Sequence, residues 1–246
     1  MILQKTLILI FKGRTTTIKT KALFSMATHI PITNNSAEAL GVKYLKHGSV
    51  IAVPTDTVYG LACDATNEKA INNLYSIKCR NENKPLAICL SEVSDVKNWA
   101  YADHLPENIL NSLLPGPITI ILRCTNNTLD HSLTLKGKIG IRIPNCNFIR
   151  NLSRGLGKPL ALTSANLSNQ PSAVKISEFR NIWENIPVIF DGGKLKNNNN
   201  ASTVVDLSDL DSFHIVREGV ACQDIINTLL KFNLKDKYPL KNRLVL

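Results

Sequence analysis

The chain has 246 residues, 44% hydrophobic and 20% charged, with a formal net charge of +10. Those values suit one globular domain with a sizeable core, and no apolar run approaches the roughly 20 residues of a membrane-spanning helix. The six cysteines (Cys63, Cys79, Cys89, Cys124, Cys146 and Cys222) form no C-x-x-C pair and have no closely spaced histidine; this disfavours a zinc site or a disulfide framework and fits the reduced thiols of a cytosolic or matrix protein.

Residues 1–37 contain no Asp or Glu but carry Lys5, Lys12, Arg14, Lys19 and Lys21, so half of the net charge lies ahead of the first acid, Glu38. An acid-free, basic, hydroxyl-rich leader reads as a mitochondrial transit peptide. A secretory signal would need a longer apolar core than Leu7–Phe11, which Lys12 and Arg14 interrupt, and a disordered extension is the remaining reading. Met26 offers an internal start that would yield a cytosolic form. The organisation expected is a targeting or disordered leader over 1–35, a folded domain over 36–232 and a tail over 233–246.

The body alternates strands and helices. Ser36 caps a helix to about His47, ended by Gly48, and Ser49–Val53 is a short β-branched strand. Ala70, Ile71, Leu74 and Ile77 give Asn67–Lys78 helical spacing, and Leu86–Leu90 is strand-length. Glu92–Ala100 and Pro106–Leu114 read as helices; Pro115-Gly116-Pro117 then breaks the chain before a strand at Ile118–Leu122. Further strands are expected at Ile139–Ile143, Leu160–Thr163, Val188–Phe190, Thr203–Leu207 and His214–Val216, and further helices at Phe148–Gly155, Ser177–Asn185 and Ala221–Lys231. Lys194–Asn200 is a polar loop. This pattern predicts an α/β domain around one twisted sheet.

Common nucleotide and hydrolase motifs are missing. There is no G-x-x-x-x-G-K-[ST], no H-E-x-x-H and no G-x-S-x-G, and Gly155-Leu156-Gly157 lacks both a third glycine and a preceding strand. What stands out is a series of polar segments at strand ends, where ligands bind in α/β sheets: Pro54–Leu61, Lys78-Cys79-Arg80 with Lys84-Pro85-Leu86, Leu114–Thr119, Gly140–Pro144, Thr163–Asn166, Asp191-Gly192-Gly193, Ser202–Asp206 and Ile215–Gly219. Each has a bland reading. Lys78 and Arg80 can satisfy a helix C-terminus, Ser164 and Asn166 can be turn residues, and Thr55 and Tyr59 a turn hydroxyl and a core ring. Arg142 is a cation inside an apolar strand and needs a partner, whether an anionic ligand, Asp56 or Asp64.

The order of these segments closely resembles the YrdC-type family, the L-threonylcarbamoyl-AMP synthases, from about Gly48 to about Leu230. The K-x-R and S-x-N signature falls on Lys78, Arg80, Ser164 and Asn166. The resemblance is to the single-domain form, and it implies a twisted, mostly open α/β sheet with flanking helices and a large positively charged concave cavity. It also implies a reaction: bicarbonate adds to the amino group of threonine, and the carbamate attacks the α-phosphorus of ATP and expels pyrophosphate. On that reading Lys78 and Arg80 hold the ATP phosphates with Mg2+, and Ser164, Asn166 and Arg217 contact the nucleotide, with Lys138 and Ser172 as further nucleotide contacts. Arg142 clamps the threonine carboxylate, Thr55 and Ser202 contact the threonine moiety, Tyr59 lines its pocket, and Thr119 shapes the cavity. The product would pass to a separate threonylcarbamoyl-transferase complex that modifies a tRNA adenosine beside the anticodon, in the cytoplasm and mitochondrion, with direct tRNA contact as a further possibility. The chain departs from the family's usual pattern at Asn145-Cys146, where Asp-His is common, and at Cys89, where many relatives carry His. A non-catalytic RNA-binding module and a carbamoyl-adenylate-forming enzyme are the competing readings; a 6% aromatic content and no interleaved basic run count against the first.

Overall fold

The computed structural model describes residues 27–80, 85–125, 129–196 and 199–238, together with the backbone of 6–11 and 14–19. In chain order the elements are β1 (Thr6–Phe11), β2 (Arg14–Lys19), β3 (Thr28–Pro31), α1 (Ala37–Lys46), β4 (Ile51–Val53), β5 (Gly60–Asp64), α2 (Glu68–Lys78), β6 (Ala87–Cys89), β7 (Ala100–Tyr101), α3 (Ile109–Leu113), β8 (Ile118–Cys124), β9 (Thr134–Leu135), β10 (Lys138–Arg142), α4 (Asn147–Leu156), β11 (Leu160–Ser164), β12 (Val188–Asp191), β13 (Thr203–Asp206), β14 (Ser212–Arg217), α5 (Cys222–Lys231) and β15 (Lys235–Asp236). β1 and β2 pair only with each other, as an antiparallel hairpin. The rest form one open sheet in the order β15-β14-β13-β8-β10-β6-β11-β5-β4-β12-β3, with β7 beside β8 and β9 beside β10. Parallel pairs such as β10–β6, β8–β13 and β12–β4 are mixed with antiparallel ones, giving the α/β class expected.

The two-residue period of the strands sorts side chains onto two faces. Ala52, Leu61, Cys63, Ile88, Ile120, Ile139, Ile141, Ala161, Ile189 and Val205 point to one face, where α2, α3 and α5 cover them in a continuous core. Their neighbours Ile51, Val53, Ala62, Leu160, Leu162, Val188 and Phe190 point to the other, where α1 and α4 cover them with Leu45, Phe148, Ile149 and Leu152. Gly41 lets these two helices close up, since a Cβ there would lie 2.6 Å from Leu152. α1 and α4 cover the part of this face built on β4, β5, β11, β12 and the Cys89 end of β6. The part built on the Ala87 end of β6 and on β8, β10, β13 and β14 is left open.

Several boundaries differ from the sequence expectation. The folded domain starts before residue 36: β3 pairs in parallel with β12, and Thr28 N–H bonds to the Pro187 carbonyl at 3.1 Å. The tail likewise folds in as far as β15, with Leu234 buried; residues 239–246 lie outside the described residues, as does most of the leader side of Met26. β5 is an unforeseen central strand, made of the small residues of Gly-Leu-Ala-Cys-Asp. Two expected α-helices are 3₁₀ segments, Val93–Asn98 and Ile176–Asn185, the second kinked at Phe179, and the helix expected from Pro106 shortens to α3.

Candidate functional site

A cavity of about 450 Å3 occupies the open half-face. Its floor consists of every second residue of the strands beneath it: Ala87 on β6, Thr119 and Ile121 on β8, Lys138, Gly140 and Arg142 on β10, Leu162 and Ser164 on β11, and Val204 and Asp206 on β13. The intervening Ile88, Ile120, Ile139, Ile141 and Val205 belong to the core, whereas Thr163, between Leu162 and Ser164, lines the cavity as well. Gly140 keeps the floor low, because a Cβ there would stand 3.4 Å from Thr119 and 3.5 Å from Ala87, projecting into the space above them. Arg80, Pro85, Lys136, Ser202, Val216 and Arg217 complete the walls.

The lining carries five basic side chains, Arg80, Lys136, Lys138, Arg142 and Arg217, against one acid among the described residues, Asp206. That acid is already committed: Lys138 Nζ lies 2.7 Å from its Oδ2 and Ser208 Oγ 2.5 Å from its Oδ1. Burial works against the Asp206 carboxylate, but these partners hold its pKa below the usual carboxylate value. The cavity therefore favours anions.

Strand register aligns two of the cavity arginines. Arg142 pairs with Thr119, Thr119 with Val204, and Val204 with Arg217, a single row across β10, β8, β13 and β14. Three strand steps set the two backbones roughly 14 Å apart. Arg217 Nη2 donates to the Ser202 carbonyl at 2.7 Å, and Ser202 Oγ lies 2.9 Å from Thr119 Oγ1, so Arg217, Ser202 and Thr119 form one chain of contacts. Burial first, then the nearby Arg142 and Arg80 charges, push the Arg217 guanidinium below its ordinary pKa. Burial does the same to Arg80.

Arg142 is 7% exposed. Its Nη2 lies 2.6 Å from Asp56 Oδ1, 2.6 Å from Thr57 Oγ1 and 3.2 Å from Thr55 Oγ1. Of the two acids weighed as its partner, Asp56 is the one the fold supplies; Asp64 instead pairs with Lys158. The Thr55 hydroxyl donates to the Val58 carbonyl at 2.7 Å, fixing the loop that carries Asp56.

The remaining expected site residues stand behind the cavity wall or away from it. Lys78, the last residue of α2, is 1% exposed, and its Nζ donates to the carbonyls of Ser164 at 2.5 Å and Asn166 at 2.6 Å. The chain turns back at Cys79, in the left-handed region at φ 47°, and delivers Arg80 to the cavity. So the two signature cations divide: Arg80 lines the cavity, and Lys78 ties down the turn that presents Ser164. Burial, and then Arg80, push the Lys78 amine down to about 7. Asn166 spends its amide nitrogen on the carbonyls of Leu167 and Gln170, and its Oδ1 is buried without a partner. Tyr59 is fully buried; its hydroxyl accepts from Gly192 N–H at 2.9 Å and donates to the Gly193 carbonyl at 2.7 Å, latching the Asp191–Gly193 turn rather than lining the cavity. Ser172 also lies outside the lining, its carbonyl held by Asn199. Cys89 pairs in register with Arg142 but points into the α1/α4 core, and burial pushes its thiol up to about 12. Lys84 falls outside the described residues. Lys136 and Asp206 were given no role from the sequence; the step of two from Ser202 through Val204 would have placed Asp206 on the cavity face.

Among the described residues no group of three His, Cys, Asp or Glu side chains is arranged to hold a metal ion, and no helix is long and apolar enough to cross a membrane.

The family model Sua5_yciO_yrdC, described as "Telomere recombination", matches residues 43–219. The chain is 40% identical over 198 residues to the threonylcarbamoyl-AMP synthase of Bos taurus, covering 78% of this chain and 71% of that protein. It is similar to the crystal structure of P. abyssi Sua5 complexed with L-threonine, with a TM-score of 0.77 at 22% identity over 89% of this chain and 64% of that one, so it spans under two thirds of that protein. It is also similar to E. coli YciO, with a TM-score of 0.70 at 26% identity, covering 80% of this chain and 96% of that one.

Proposed function

The chain belongs to the Sua5/YciO/YrdC family, and from that premise we propose that it is a nucleotidyltransferase that makes L-threonylcarbamoyl-AMP from L-threonine, bicarbonate and ATP, releasing pyrophosphate. The observation that carries the reading is the convergence of Arg80, Arg142 and Arg217, from three distant segments, on one open cavity beside the hydroxyls of Ser164, Ser202 and Thr119.

The chemistry asks for that arrangement. A C–N bond forms between the threonine nitrogen and the bicarbonate carbon, with loss of water. A carbamate oxygen then bonds to the α-phosphorus of ATP as the bond to pyrophosphate breaks. The substrate is the nucleophile, so the protein's task is to bring anions together and stabilise their charge. Arg142, neighboured by the Thr55–Thr57 loop, takes the threonine carboxylate through a charge-assisted contact. Arg80 and Arg217 take the phosphates from the opposite walls, Ser164 and Lys138 contact the nucleotide, and Ser202 and Thr119 bridge the two halves. Lys78 and Asn166 act from behind, by holding the turn that carries Ser164. The only lining acid among the described residues is paired with Lys138, so these residues do not form a resident metal cage; Mg2+ enters as part of the MgATP substrate, as is usual for an ion that keeps phosphate and water ligands.

The product is an activated acyl group, and its consumer is a threonylcarbamoyl-transferase complex acting on a tRNA adenosine next to the anticodon. Location follows from the leader: the acid-free segment ahead of Met26 directs part of the protein to mitochondria, and a chain starting at Met26 stays in the cytoplasm. The test of the reaction is mass spectrometry of products formed with 13C-bicarbonate. The reading requires a labelled threonylcarbamoyl-AMP; unlabelled AMP or carbamoyl-AMP as the sole adenylate would contradict it.

A further inference from the structure

We infer that Asp56 is a positioning residue for the amino-acid substrate, holding the Arg142 guanidinium in the orientation that receives the carboxylate. The inference rests on the reaction proposed above and deepens it. Among the described residues, the hydrogen bonds of the Arg142 side chain fall on Nη2, Nη1 carries none of them, and the buried Nε has no partner. The side chain is thus held at one corner of its plane, by Asp56 together with the hydroxyls of Thr57 and Thr55, while it lines the cavity.

Asp56 also reaches past Arg142. Its other oxygen, Oδ2, accepts from the Asn145 N–H at 2.9 Å, just ahead of α4. One carboxylate therefore ties the loop after β4 both to the end of β10 and to the entry of α4. Each of its oxygens faces a donor. An amide has one acceptor and one donor end, so Asn at this position must set N–H against N–H at either Arg142 or Asn145. The site needs a carboxylate, not merely a polar residue of that size. Asp56 also compensates a guanidinium that is almost entirely buried, which would otherwise swing away or draw in water when no substrate is bound.

An opposing account exists: Asp56 could compete with the substrate for Arg142, in which case its removal would tighten threonine binding. Steady-state kinetics decide between them. Asp56→Asn should raise the KM for threonine about tenfold or more, with the KM for ATP within about twofold of the parent. In an Arg142→Ala background the same substitution should change the threonine KM by less than about twofold, because Asp56 acts through Arg142. A lower threonine KM, an equal rise in both KM values, or an undiminished effect in the Arg142→Ala background would each overturn the inference. Should Asp56→Asn fail to fold, Thr57→Val removes one Nη2 acceptor and leaves the charge pair; a threonine KM raised by about threefold with the ATP KM unmoved supports the inference, and no selective change overturns it. The parent serves as the separate control. If its pyrophosphate release does not depend on threonine, the proposed reaction fails, and if it does while Asp56→Asn leaves the threonine KM unmoved, only the positioning role fails.

Discussion

Replacing Lys78 with Met keeps the length of the side chain and removes its amine. The carbonyls of Ser164 and Asn166 then lose a donor at 2.5 and 2.6 Å. Ser164 keeps the Asn166 N–H at 3.0 Å, so the loss falls on the buried Asn166 carbonyl, at about 1–3 kcal/mol. Against this, the folded parent bears the cost of burying the ammonium, which lowers its pKa from 10.5 to about 7. Because the folded-state pKa lies below the unfolded one, the unfolded chain binds more protons between those values. That cost is complete below pH 7, shrinks by about 1.4 kcal/mol per pH unit above it, and has gone above pH 10.5. The amine keeps two N–H donors when neutral, so its two hydrogen bonds survive the titration. Near pH 7 the relief of that burial cost offsets the lost hydrogen bond, and Lys78→Met should fold. At pH 9 the parent should be more stable than the variant by about 2–3 kcal/mol beyond the difference at pH 7. Urea unfolding of both proteins at the two pH values measures this, and taking the difference removes the contribution of every other titrating group. Turnover, measured by pyrophosphate release, should fall at least about tenfold at pH 7, because the turn that presents Ser164 has lost its tie. A stability difference that stays flat from pH 7 to pH 9 would refute the burial argument, and turnover within about twofold of the parent would refute the role of the tie.

Other substitutions separate the two ends of the cavity. Arg80→Ala should raise the KM for ATP and lower kcat/KM by about tenfold to a hundredfold, the range expected for one lost charge-assisted contact, while the threonine KM stays near the parent's; a selective threonine effect would reverse the assignment. Arg142→Lys keeps the charge but has one nitrogen to serve both the Asp56 loop and the substrate, so the threonine KM should rise well above any change in the ATP KM, and a rise in the ATP KM alone would show that this arginine serves the nucleotide. A chain beginning at Met26 retains β3 and should match the full chain in activity and Tm while losing mitochondrial import in cells. A chain beginning at Ser36 loses the parallel pairing of β3 with β12 and should melt at a lower temperature, and equal melting temperatures for the two would show that the edge strand contributes nothing.

Much of the site was legible where chemistry and strand period coincide. Arg142 stood out as a cation in an apolar strand, and the same alternation that made it conspicuous puts Lys138 and Gly140 on the cavity floor. The choice between Asp56 and Asp64 as its partner was not legible, because it depends on which loops the sheet order brings together. Lys78 shows the same limit. Local spacing offered a helix C-terminus, whereas its amine reaches a turn 86 residues away in sequence. Among the strands that escaped notice, two did so for compositional reasons. β5 lacks the β-branched residues that signal a strand yet is buried along its whole length, and β3 lies within an acid-free stretch whose composition pointed to a leader. The described parts of the expected polar loop, 194–196 and 199–200, carry no helix or strand, but the latch of Tyr59 on the neighbouring Asp191–Gly193 turn is a tertiary contact that no local pattern announces.

The central claim is that the cavity joins threonine, bicarbonate and ATP in one reaction. Pyrophosphate release by the purified full chain, measured with each substrate omitted in turn, tests it most directly. The account predicts release that needs both threonine and bicarbonate and falls to background without either. Release that continues without threonine, or that proceeds equally with carbamoyl phosphate in its place, would contradict it.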